Sequence, residues 1–399
     1  MTTAAPNAPV AVSAVSADLL AIKGGTPVSK TPVPFMAAGL QQADKDAVLK
    51  VLDSGMLRAH VKCAELEERW AKVTNAKHAM TCANGTCALQ LAYEATFDRG
   101  DDVLVPAWSY VATVSMVVAR GGNPIFCDAN YATGQVDLAD AEKRITAKTR
   151  AIAVTHMYGC PVDINATLAL AKRHNLKVIF DAAQAHLATY QGTGIGAFGD
   201  VVTYSLYATK NLATGEGGIV TCNDDGLARQ IKLLRSHGET EKYLHEQVGY
   251  NYRLNDMAGA IGCSRLDRLE AETNARRAVA AKYDAFFKSA GLGITPLAIT
   301  PGAVSAYHLY TVKLEDGRFS CSRDEFGKAV GAEGVPTAVH YPKCLTNQPA
   351  FSSFVKDHPS VSGRLAKEVL SLPMHQALTD ANIATVTEAM RKVATAMKR

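Results

Sequence analysis

The sequence predicts an α/β protein, a large lobe with a mostly parallel central sheet followed by a smaller α+β lobe. Three observations carry this. From about residue 40, helix-periodic segments alternate with short apolar runs, the signature of βα units. Small, backbone-permissive residues follow several of those runs, where open sheets of this class bind ligands. After Asn251 the pattern changes to one long helical stretch and then to shorter mixed segments.

Taken in order, Gln42 to Asp53 reads as a helix stopped at Gly55, and Ala64 to Val73 as another. Asn84-Gly85-Thr86 opens a helix from Cys87 to Thr96. Strands follow at Val103 to Val105, Pro124 to Cys127, Ala151 to Thr155 and Leu176 to Phe180, with helical segments near 110–120, 137–145 and 164–174. Val201 to Tyr204 is a β-branched strand, and Ile219 to Thr221 a second strand after a glycine-rich turn. A long helix spans Asp256 to Ser289. Beyond Gly291 the expected elements are a strand at His308 to Val312, a helix at Arg323 to Gly331, a strand at Thr337 to His340 and a helix from Asp380 to Lys398. The domain expectation is an N-terminal extension over 1–38, a large domain over 39–275 and a small domain over 276–399.

The composition excludes several classes. Hydrophobic residues at 48% and charged residues at 20% describe a globular chain able to bury a large core. A net charge of +4 over 399 residues, without basic runs interleaved with aromatics, gives no nucleic-acid surface. The nine cysteines stand singly, so neither structural zinc nor a disulfide framework is expected, and reduced thiols in a cytoplasm fit best. The first twenty residues lack a basic n-region and a continuous apolar core, so a frayed extension is expected rather than export. No apolar run is long enough to span a bilayer.

Ser205 to Asn211, followed by Gly215 to Gly218, sets Lys210 just past a strand among small residues. A desolvated lysine there could bond an aldehyde cofactor; a surface lysine after a strand fits the same segment. The helix start at Gly85 and Thr86 offers free N–H groups to a phosphate, with Ser205 as a possible hydroxyl partner, or is a plain N-cap and turn. Asp181 closes a strand at its carboxyl end. It suits either the protonated ring nitrogen of pyridoxal phosphate or the N-cap of a following helix, which would put Gln184 and His186 in a first turn. Trp108 and Tyr110 follow another strand, and one of them could stack on a flat ring while the other packs inside.

Together these pieces resemble the DegT/DnrJ/EryC1/StrS sugar aminotransferases. The motifs that carry the resemblance are NGTCAL at 84–89, VPAWSYVAT at 105–113, GNPIFCD at 122–128, DAAQAH at 181–186, SLYATKNLATGEGG at 205–218, GYNYRLNDMAGAIG at 249–262, AYHLY at 306–310, VHYPK at 339–343 and SLPMH at 371–375. The resemblance implies a fold-type I transferase dependent on pyridoxal 5'-phosphate. It implies Lys210 as the Schiff-base lysine and proton carrier, Asp181 as the pyridinium partner, Gln184 beside the phenolic oxygen and Tyr110 as the stacking ring. Gly85, Thr86 and Ser205 match the phosphate contacts, and Asn251 matches an asparagine that family homodimers contribute across the interface.

The implied reaction moves an amino group from glutamate or glutamine to a keto-sugar or keto-cyclitol, in amino-sugar or antibiotic biosynthesis. The opening Ile22 to Val28 resembles cyclitol aminotransferases and aminohydroxybenzoate synthases. Substrate contacts are expected among Arg58, His60, Arg235, His237, His308, Tyr310, His340 and Tyr341; no metal is expected. Arg58 and His60 lie where many relatives carry a Thr-x-Gly-Pro loop, and Phe180 stands where an acidic residue often precedes the aspartate. The rival readings are another reaction of the same cofactor (elimination, aromatisation or an oxygen-dependent step) and a cofactor-binding sensor without catalysis.

Overall fold

The computed structural model describes residues 19–36 and 39–399. Helices α1 (Gln42–Ser54) and α2 (Val61–Thr74) lead into β1 (His78–Cys82), α3 (Gly85–Glu94), β2 (Asp102–Pro106), α4 (Ala112–Arg120), β3 (Asn123–Cys127) and α5 (Leu138–Lys143). Next come β4 (Thr149–Thr155), α6 (Ile164–His174), β5 (Lys177–Asp181), the short β6 (Thr189–Tyr190) and β7 (Thr193–Gly194), then β8 (Val201–Ser205) and β9 (Gly218–Cys222). Helix α7 (Asp225–Arg235) and a small hairpin of β10 (Glu239–Glu241) and β11 (Leu244–His245) precede the long α8 (Asp256–Ala290). The remainder is β12 (Ile294–Pro296), β13 (Ala303–Val304), β14 (Tyr310–Leu314), α9 (Arg323–Ala332), α10 (Ser360–Glu368), β15 (Val369–Leu372) and α11 (Asp380–Ala396).

Seven strands form the main sheet in the order β1-β9-β8-β5-β4-β2-β3. Only β9 runs against its neighbours. Successive residues of each strand enter opposite cores. Leu104, Ile152, Val154, Val178, Phe180, Val202 and Tyr204 meet α2, α6 and the first half of α8. Val103, Val105, Ala151, Ala153, Ile179 and Val201 meet α3, α4 and α7. A sheet covered on both faces needs continuous apolar strands, which is why these read as unbroken runs.

The second half of α8 sends Val279, Tyr283 and Phe287 into a separate core with β14, β15, α9 and α11. That core also takes Leu20 and Val33, which revises the expected extension over 1–38. Buried Glu333 accepts the N–H groups of Ala21 and Val28 at 2.8 and 3.0 Å and pairs with Lys392 Nζ at 2.8 Å. Residues 19–36 are thus docked on the C-terminal lobe, while the first eighteen lie outside the described residues.

The expected strand over Thr337 to His340 is a single bridge, Ala338 to Ser371, on the edge of β15 opposite to β14. The strand β1, with His78 and Thr81 among its five residues, and helix α7, which opens on an Asp-Gly turn signal, are additional to the sequence-based elements. No helix among the described residues is long and apolar enough to cross a membrane.

Candidate active site

The carboxyl ends of β4, β5 and β8, the start of α3 and the lobe after α8 enclose a cavity of about 490 Å³. Gly85, Thr86, Tyr110, Asp181, Gln184, Ser205, Lys210, His308, His340 and Tyr341 all line it. Residues spread over more than 250 positions therefore meet in one place. Four expected residues do not reach it within one chain: Arg58, His60, His237 and Asn251 are exposed at the surface. Arg235 and Tyr310 are engaged elsewhere. Arg235 Nη1 pairs with Glu67 at 2.6 Å and donates to the Thr81 carbonyl at 2.9 Å. Tyr310 is buried in the C-terminal core with its hydroxyl on Asp284 at 2.6 Å.

Asp181 is the last residue of β5 and pairs in register with Thr155 and Thr203 on the flanking strands. No helix follows it, so the N-cap reading fails; residues 182–188 form turns instead. Its Oδ2 accepts from Thr113 Oγ1 at 2.7 Å and its Oδ1 from the Ala183 N–H at 3.1 Å. Thr113 belongs to a buried hydroxyl cluster with Ser109 and Thr155. Burial pushes the Asp181 carboxyl above its ordinary range, against the pull of these donors and of Lys210. A buried carboxylate aimed into a cavity without an ion-pair partner is suited to a cationic ring nitrogen.

Lys210 sits in the turn after β8, held by its N–H to the Tyr207 carbonyl at 2.8 Å. Its amine has no hydrogen bond or ion pair among the described residues. Burial lowers its pKa to about 8, with Asp181 opposing the shift. A neutral, nucleophilic amine is therefore accessible near physiological pH, as carbonyl chemistry requires.

Opposite, Asn84 caps α3 by accepting from Cys87 N at 2.9 Å, so the plain N-cap is present. It coexists with a cradle, since a Cβ on Gly85 would stand 2.7 Å from Ser205 Cβ. Glycine keeps that first turn open beside the Ser205 hydroxyl, a geometry suited to a phosphate. Tyr110 is 58% exposed and lines the cavity, whereas Trp108 is 1% exposed and donates Nε1 to the Tyr341 carbonyl at 3.2 Å. The indole is the core residue of the pair.

Gln184 Oε1 accepts from Tyr158 N at 2.6 Å, and its Nε2 donates to the Tyr341 hydroxyl at 3.1 Å. The first bond depends on a left-handed Tyr158-Gly159 pair, φ 57° and 96°; a Cβ on Gly159 would meet the Gln184 carbonyl at 2.8 Å. His308 faces Asn211 Oδ1 at 3.3 Å, and His340 faces Ser371 at 3.1 Å. Burial lowers the pKa of both imidazoles, with Lys210 adding to the effect. Thr113 and Asn211 were not singled out as site residues; both lie inside recognisable motifs, but only the fold shows what their side chains touch.

An open α/β sheet that gathers a free lysine, a buried carboxylate, a phosphate-sized cradle and an aromatic ring at its strand ends has the equipment of a pyridoxal-phosphate enzyme. The chain belongs to the DegT/DnrJ/EryC1/StrS aminotransferase family, whose model matches residues 39–391. This is a family of pyridoxal-phosphate-dependent aminotransferases. The chain is 37% identical over 350 residues to a pleiotropic regulatory protein of Geobacillus stearothermophilus, covering 84% of this chain and 91% of that one. It is 36% identical over 375 residues to the dTDP-3-amino-3,4,6-trideoxy-alpha-D-glucose transaminase of Streptomyces venezuelae, covering 91% and 97%. Its fold matches the crystal structure of S. venezuelae DesV in complex with a ketimine intermediate, with a TM-score of 0.87 and 34% identity over 92% of this chain and 99% of that one.

Proposed function

We propose that the protein transfers an amino group from glutamate or glutamine to the carbonyl of a keto-sugar or keto-cyclitol in amino-sugar or antibiotic biosynthesis, as a cytoplasmic homodimer. The observation that carries this reading is the free Lys210 amine sharing a cavity with the buried Asp181 carboxylate. The dTDP-sugar product named for the S. venezuelae relative supports a sugar acceptor.

When bound, pyridoxal phosphate supplies an electron-poor ring that stores the electron pair released at the donor carbon and carries the amino group between substrates. In this reading Asp181 accepts the ring N–H, and the Thr113 hydroxyl and Ala183 N–H hold its carboxylate in that orientation. The Gly85 and Thr86 N–H groups and the Ser205 hydroxyl hold the phosphate. Tyr110 covers one ring face, and Gln184 Nε2 is the donor on the phenolic side because Tyr158 occupies its Oε1. Lys210 Nζ takes the proton from the donor's α-carbon and returns one at the acceptor carbon. Asn251, exposed on its own chain, reaches the cofactor of a second copy.

The test is the visible spectrum of the cofactor-loaded protein, recorded before and after glutamate and then glutamine, with no acceptor present. Loss of the band on adding a donor is the expected result. A band that ignores both donors overturns the donor assignment and favours one of the rival cofactor reactions. A protein that never acquires a band has a misassigned site.

A further inference from the structure

Lys210 also lines a second, smaller cavity of about 180 Å³, on the side of the lysine toward α8 and the C-terminal lobe. The two cavities share Thr209, Lys210, His308, Leu309 and His340, so together they flank the reacting amine. The second one is lined by two arginines of α8, Arg265 and Arg276, and by no acidic residue among the described residues.

These arginines differ from their neighbour Arg268. Arg268 takes both oxygens of Asp44 and one of Glu272. Neither Arg265 nor Arg276 has an ion pair among the described residues. Arg276 is satisfied by carbonyls, including Met374 at 2.9 Å and Tyr307 at 3.3 Å. Arg265 has one long hydrogen bond, Nη2 to the Asn211 carbonyl at 3.4 Å, and its buried Nε has no partner. Burial lowers its pKa below the ordinary arginine value, with Arg268 adding to the shift and Glu272 and Asp44 opposing it from beyond ion-pair distance. Asn211, which follows Lys210 in the chain, carries the contact on to His308 through its side chain.

We infer that Arg265 forms a subsite for a substrate carboxylate beside Lys210. A guanidinium fork with unspent donors matches a carboxylate in a planar, bidentate pair, and an arriving anion supplies the direct ion pair that Arg265 lacks among the described residues. The cavity suits a carboxyl-bearing end of a substrate rather than a nucleoside diphosphate. That carboxylate belongs either to the amino donor or to an acidic acceptor. The inference rests on the aminotransferase reading for the identity of the substrate, not for the binding of the anion.

The test compares the wild-type holoenzyme with Arg265→Gln and Arg265→Lys. Succinate, which has no amine to transfer, is titrated against the cofactor's visible band; glutamate is titrated in the donor half-reaction, and carboxylated and uncharged keto compounds in the acceptor half-reaction. For the donor as source, the glutamine variant raises half-saturation for succinate and glutamate about tenfold, or about 1.4 kcal/mol. The limiting rate is retained and lysine restores part of the loss. If only the carboxylated acceptor weakens, the acceptor is the source. Equal succinate and substrate affinities in all three proteins overturn the subsite, as does a fall in limiting rate at unchanged half-saturation. A wild type that binds succinate through Arg265 yet ignores every donor overturns the aminotransferase reading and leaves the subsite standing. Should the glutamine variant lose its cofactor, the lysine variant and the wild-type titration decide the matter.

Discussion

The cavity wall and its rim are built differently. Wall residues such as Asp181 and Ser205 sit at the ends of buried strands, and Asp181 is further fixed by Thr113 and Ala183. Arg58, His60, His237 and Asn251, termed the rim although they do not reach the cavity within one chain, lie in exposed connections, as do Tyr243 at 82% exposure and Val248 at 89%. The difference teaches that one chain gathers the cofactor side of the site but does not bring the rim residues to it; that a second copy supplies them is the proposal the mixing experiment tests. The junction of the segment 54–60 with α2 is anchored all the same, because the Asp256 side-chain carboxylate at the start of α8 accepts the N–H groups of His60, Lys62 and Cys63.

The largest effect belongs to the wall. Lys210→Ala removes the amine that bonds the cofactor and moves the proton, so both half-reactions should slow by roughly 10⁴-fold. Borohydride should no longer fix cofactor to the protein. Because the amine has no partner in the fold, its removal orphans no buried group, and the circular dichroism should be unchanged. Turnover that survives in this variant would end the assignment of Lys210.

The rim is tested by mixing. Asn251→Ala should weaken cofactor binding about tenfold, the scale of one hydrogen bond to a charged group. When it is unfolded and refolded together with Lys210→Ala, a mixed dimer has one intact site, with Lys210 from one copy and Asn251 from the other. Specific activity should then exceed the sum of the two parents. A strictly additive mixture would show that the rim of each chain serves its own cavity or none.

The same division explains what was legible in the sequence. The strands at Val103, Ala151 and Leu176 are two-sided apolar runs, so their positions, and that of Asp181 at a carboxyl end, could be read directly. The strand β15 went unread because its VLSL run emerges from α10 without a turn signal, and the expected strand at Thr337 reduces to one bridge to that run. The docking of residues 19–36 was invisible because it depends on Glu333, a long-range buried acceptor that no local pattern announces. The hydroxyl chain through Thr113 and the unpaired state of Arg265 depend equally on contacts between distant segments. Tyr310 was expected at the substrate because its motif is shared, yet its side chain faces Asp284 inside the C-terminal core.

The smallest effect on activity separates Arg235 from the rest of the rim. Its guanidinium sits between Glu67 on α2 and the Thr81 carbonyl on β1, and Glu67 also accepts from the Thr81 N–H and hydroxyl at 2.8 Å. Arg235 thus ties the end of α7 to two other elements through Nη1, while its buried Nε has no partner among the described residues. Arg235→Ala should lower the chemical unfolding free energy by about 1–3 kcal/mol, since it strips a charged partner from the partly buried Glu67. Half-saturation for donor and acceptor should not move. Arg235→Lys should recover only part of the stability, because a single ammonium replaces a fork. If half-saturation rises while unfolding is unchanged, Arg235 serves a substrate in the neighbouring copy, and the boundary between scaffold and rim moves inward by one residue.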